Sequence, residues 1–132
     1  MKPVDQTVFE DGKGNCLAAC VASILELPIE VVPNFAEHGF LDGVRAWLKQ
    51  LGFELVRVYP TGEASIFANA PAIVAGWSPR GGGKQHAVVG RSDSGGLEVL
   101  HDPHPSRAGI IGEPIVFAWI VNASIQSASS VI

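Results

Sequence analysis

Two cysteines are all that the 132 residues contain, and they lie four apart, at positions 16 and 20. On one turn of a helix their side chains point roughly parallel, a poor geometry for a disulfide, so a stapled secreted domain is disfavoured and both thiols are expected to be reduced. Positive charge is also scarce: nine Lys and Arg against thirteen Asp and Glu give a net charge of −4, with no basic cluster. Phosphate backbones are bound by concentrated positive charge, so nucleic acid is not an expected partner. No apolar run approaches the ~20 residues that span a bilayer, and Met1–Gln6 lacks the apolar stretch of a signal peptide, so a cytoplasmic protein without a membrane partner is expected. Internal repeats are missing. The glycine-rich Pro79–Lys84 lacks the full phosphate-loop pattern and leads into a strand, so it reads as a loop beside a site.

What the chain does have is apolar material, 47% of its residues. That is enough for one core, and a single domain over 1–122 is expected, with a weakly patterned Ser/Ala-rich tail over 123–132 read as flexible. Residues 1 to 15 carry Pro3, Asp5, Asp11, Gly12 and Gly14 and read as an extended entry. Asn15 is placed to cap a helix opening at Cys16, in which Leu17, Val21, Ile24 and Leu25 repeat at spacings of three and four. Pro28 should end it, with a short turn before Pro33. Leu41, Val44, Trp47, Leu48 and Leu51 form the stripe of a second helix, terminated by Gly52.

The period then becomes that of strands. Phe53 to Tyr59 suggests one and Ala72–Trp77 a central second, apolar on both faces. His86–Arg91 and Leu97–His101 make a hairpin about Asp93–Gly96, and Ile115–Ile120 is the last strand. Helices followed by strands indicate an α+β domain, with the helices packed on one face of a mostly antiparallel sheet.

A cysteine at a helix start is a candidate nucleophile, because free amide groups and the positive end of the helix dipole favour a thiolate. Cys20, one turn on, reads as a packed thiol. A nucleophile needs a base, and the base needs an orienting group. His86 opens the third strand, and hairpin pairing brings Asp102 near it. Paired numbers summing to 188 put both on one face, whereas a slip of one residue sends Asp102 to the other.

The helix-starting Cys16, the sequence His86-Ala87-Val88-Val89 and the later Asp102-Pro103 together resemble the papain-like cysteine peptidases, most closely their compact C39-like, bacteriocin-processing branch. The resemblance covers most of residues 5 to 120. It implies a papain-like fold whose central helix opens at Cys16. It further implies a thiol protease or related hydrolase with a Cys16–His86–Asp102 triad and no cofactor or metal, acting on a peptide or protein substrate. The family also places a glutamine a few residues before the cysteine, where its side-chain amide and the cysteine N–H form the oxyanion hole. Gln6 is the only upstream glutamine and lies ten residues before Cys16. Phe9 to Lys13 lengthen that spacing beyond the family pattern, and the Asn15 side chain is an alternative donor. Trp77, Ser78 and Arg80 would line the substrate groove.

Three other readings compete. His86, His101, Asp102 and His104 with a cysteine contain metal-ligand types, without the paired spacings of a structural zinc site. A non-catalytic peptide-binding domain of the same fold is the second. A transglutaminase- or deamidase-type acyl transferase using the same triad is the third.

Overall fold

The computed structural model describes residues 1–10, 12–59, 70–93 and 96–122, so the expected flexible tail lies outside the described residues. Helix α1 spans Cys16–Leu25 and helix α2 Leu41–Gln50, separated by 3-10 turns at Ile29–Val31 and Phe35–Glu37. Strands β1 (Phe53–Val58), β2 (Ala72–Trp77), β3 (Gln85–Asp93), β4 (Gly96–His101) and β5 (Ile111–Asn122) form one sheet in the order β1-β5-β2-β3-β4. Every pairing is antiparallel. The chain is therefore α+β, as the order of helical and strand periods indicates.

Alternation along the strands divides the interior in two. Leu55, Ile73, Ala87, Val89 and Ala118 face α1 and α2, packing with Leu17, Cys20, Val21, Val44 and Leu48. The neighbouring positions Val74, Val88, Phe117 and Trp119 form a second cluster, in which Phe117 and Trp119 stack with centroids 5.7 Å apart. Both helices lie against one face, and β2, third of five strands, is buried on both. This is why Ala72–Trp77 reads as an apolar run rather than as an alternation.

The helix ends follow local chemistry, with one exception. Glu26 ends α1 in a left-handed conformation, and Leu27 N–H returns to the Ala22 carbonyl before Pro28. Gly52, at φ 84°, closes α2 as its position suggests. Asn15, however, does not cap α1. Its side chain turns away from the helix to the entry loop, so the capping expectation is wrong.

The last strand begins four residues earlier than its apolar run. Its pairing with β2 shifts between Ala75 and Trp77, and the unpaired stretch on β5 holds Gly112 at φ 70° and Pro114. Proline has no N–H to give a ladder and is accommodated where pairing is interrupted.

Candidate active site

The site is built at one end of β3. The β3–β4 ladder does not adopt the register of 188. From Asp93↔Gly96 to Gly90↔Val99 the paired numbers sum to 189, and at Val89↔His101 to 190, so Leu100 is an extra residue in a bulge. A strict 189 register would put Asp102 on the face opposite His86. The bulge adds one residue and restores the side that the chemistry requires. Asp102 then lies just past the end of β4, in a turn rather than in the ladder.

That turn fixes the carboxylate on both oxygens. Asp102 Oδ1 accepts from His86 Nε2 at 2.7 Å and from the His104 amide at 2.9 Å, while Oδ2 accepts from the Gly109 amide at 2.7 Å. Asp102 is 3% exposed and His86 5%. Burial alone would raise the Asp102 carboxyl, but the bonds from His86, His104 and Gly109 outweigh it and hold the group below its usual value. An ionised carboxylate only accepts, so Nε2 carries the proton and Nδ1 the lone pair. Burial pushes His86 down against the pull of Asp102, with Arg80 adding to the downward shift.

Cys16 and His86 line one open cavity of about 980 Å³, together with Gln6, Ser78, Arg80 and His104. The amide of Ala87, the neighbour of His86, is directed at the Cys16 sulfur, as are the amides of Leu17 and Cys16 itself. The last two are helix-start N–H groups without a side-chain cap. Burial nonetheless dominates and raises the Cys16 thiol. No hydrogen bond joins Sγ to His86 among the described residues. Burial thus raises the thiol and lowers the imidazole, two directions that oppose a thiolate–imidazolium pair. Cys20 is fully buried, its thiol pushed well up by burial, and both cysteines are free.

No protein-family model and no curated protein sequence matches this chain.

Gln6 reaches the cavity despite its distance in sequence. Asn15 Oδ1 accepts from the Thr7 and Val8 amides at 2.9 and 2.8 Å, its Nδ2 donates to Thr7 Oγ1, and Asn15 N–H returns to the Val8 carbonyl. Val8 and Asn15 thereby meet despite their separation in sequence. The Gln6 amide N–H donates to Pro103 O at 3.0 Å, tying it to the residue beside Asp102. Its side chain is 7% exposed, and Nε2 gives one N–H to Val8 O at 3.0 Å. The second N–H remains. Oε1 is buried without a partner. The Asn15 side chain is turned to residues 7 and 8 and, unlike Gln6, is not among the residues lining the cavity.

The three groove residues separate. Ser78 and Arg80 line the cavity, whereas Trp77 is 45% exposed at the end of β2 and is not among its lining residues. Trp77 pairs in the ladder with Gln85, which does line the cavity.

Several residues support the site in roles that the sequence did not indicate. Arg107, at φ 53°, donates to both carboxylate oxygens of Asp5 at 2.7 and 2.9 Å and to the Asp102 carbonyl. It joins the Gln6 segment to the Asp102 turn. His104 packs edge-on to Phe9 and to His86, and its Nδ1 accepts from Ser106 N. His101 bonds to Val4 O and Asp5. Among the described residues no three His, Cys, Asp or Glu side chains form a group suited to a metal ion, and no single helix is long and apolar enough to cross a membrane.

Proposed function

We propose that this chain is a cysteine hydrolase of the papain-like class, cleaving an amide bond in a peptide or protein through an acyl-enzyme. The observation that carries the reading is the buried His86–Asp102 pair, tautomer fixed, at the cavity that Cys16 and Gln6 also line. Carbonyl attack by Sγ transfers the thiol proton to His86 Nδ1 and generates an oxyanion. The Cys16 N–H and the second Gln6 N–H are its donors, each typically worth ~3–4 kcal/mol of barrier. His86 returns the proton to the leaving amine, giving the acyl-enzyme. Water, deprotonated by the same nitrogen, then releases the acid and regenerates the thiol.

In this reading His86 acts as a general base during attack, in keeping with a thiol that burial raises and an imidazole that burial lowers. A non-catalytic peptide-binding domain would explain the absence of a resting Sγ–imidazole hydrogen bond, but not the elaborate fixation of the His86 tautomer. An acyl transferase would share every step up to acylation and differ in the acceptor.

The test is intact-mass measurement after mixing with p-nitrophenyl acetate at pH 7. The expected result is an acetyl group on Cys16 that turns over, absent in Cys16→Ala, with acylation at least ~100-fold slower in His86→Ala. Equal acylation of Cys16 in wild type and His86→Ala, or no acylation at all, would overturn the proposal.

A further inference from the structure

We propose that Arg80 forms a carboxylate-recognising subsite beside Cys16 and His86, so that the substrate presents an anionic carboxylate close to the bond that is attacked. This rests on the hydrolase reading and adds its substrate class.

Three of the five arginines are paired with acidic side chains: Arg57 with Asp42 at 2.6 Å, Arg91 with Glu98 at 2.8 Å and Arg107 with Asp5 at 2.7 Å. Arg80 lines the cavity and has no carboxylate partner among the described residues. Its one side-chain bond is to a neutral group, Nη1 to Ser106 Oγ at 3.1 Å. Glu10, an acidic residue of the same cavity, makes no bond to it.

Arg80 is exposed, its guanidinium is tied at one nitrogen to Ser106 Oγ, and its backbone is fixed in the loop. The Arg80 amide donates to Ser78 Oγ, and Ser78 N–H closes the β2–β3 loop on Lys84 O. On the other side, the Ser106 amide is bonded to His104 Nδ1, within the turn that orients Asp102. Arg80 thus bridges the loop before the base and the turn after it. A planar fork of donors fixed at one side matches a carboxylate better than a mobile ammonium would.

A bound anion has a second consequence. The Arg80 charge helps keep both His86 and His104 down. A carboxylate on the guanidinium cancels that field and makes Nδ1 a stronger base when the substrate is seated. Recognition and activation are then coupled through one residue.

The test compares alkylation of Cys16 by iodoacetate and by iodoacetamide at pH 7, mapped by peptide mass spectrometry. In both, Sγ forms the carbon bond, iodide leaves and the thiol proton is lost; the reagents differ in the carboxylate. The iodoacetate-to-iodoacetamide rate ratio should fall about fivefold in Arg80→Gln, the upper range for a charge pair open to solvent, and be kept only in part in Arg80→Lys, which retains the charge and loses the fork. A ratio unchanged in Arg80→Gln overturns the subsite while leaving the hydrolase reading intact. Wild-type Cys16 that reacts with neither reagent overturns both. Protection by acetylglycine assigns the carboxylate to a chain terminus, and protection by acetyl-aspartate amide assigns it to a side chain. Protection by neither at millimolar concentration overturns the subsite.

Discussion

Asp102 organises the site at the scale of single residues. Its two oxygens satisfy His86 and the amides of His104 and Gly109, and all of these are removed from water together. Deleting the carboxylate leaves two buried donors and one part-buried donor without an acceptor. Asp102→Ala should therefore lose roughly 3 kcal/mol or more in urea unfolding, against the ~1 kcal/mol usual for a point change. A loss below 1 kcal/mol would show that the turn does not depend on its carboxylate. Cys16, His86 and Asp102 were legible because each carries a local marker: a helix start, a strand start after glycines, and an aspartate before proline. Arg107 carries none. Its partner Asp5 is 102 residues away, and no local pattern links them.

Among the elements, the entry loop and the β4 bulge decide whether the site assembles. Gln6 is ten residues from Cys16 in sequence, and only the Asn15 clamp on Thr7 and Val8 makes that spacing short in space. Asn15→Ala removes one acceptor shared by two amides. We expect a loss of about 1–3 kcal/mol and faster hydrogen exchange at the Thr7 and Val8 amides, with the protection of α1 retained. Unchanged exchange at these two amides would show that the loop closes without the clamp. The error over Asn15 has a physical source. Asparagine suits a helix cap and a loop acceptor equally, and the sequence does not say which amides come within reach. The bulge is similar: turn residues locate a hairpin, but one extra residue in a ladder depends on what packs across it. At Gly90, opposite Val99, an added Cβ would lie 3.0 Å from the Glu98 carbonyl and 2.9 Å from Leu97 Cδ1, so the strands pass closely where pairing shifts.

For the whole molecule, burial sets the protonation of the site. His86 and His104 are both pushed down, chiefly by desolvation. The unfolded chain therefore takes up protons first as pH falls below about 6.5, and stability declines on that side. Asp102 is held low, so its stabilisation, complete above about pH 4, is lost as pH falls through its folded value. Cys16 and Cys20 are pushed up by burial, so above about pH 8.5 the unfolded chain releases protons first and stability again declines. The urea midpoint should accordingly be greatest between about pH 6.5 and 8.5. A midpoint still rising through pH 9 would contradict the raised thiols. Helix-start chemistry alone indicates a depressed thiol, and it is the tertiary burial of Cys16 that reverses the sign.

The sequence alone determined the α+β class, the two helices, five strands in nearly their observed places and the pairing of His86 with Asp102. Periodicity, turn residues and helix terminators are local and act over a few residues. Tertiary structure decided the register beside His86, the closure of the Gln6 loop, the Arg107 tie between segments and the burial that raises the Cys16 thiol. Each depends on groups far apart in the chain meeting in a low-dielectric interior. Spacing cannot encode that, because it is fixed by which surfaces pack and not by which residues are neighbours.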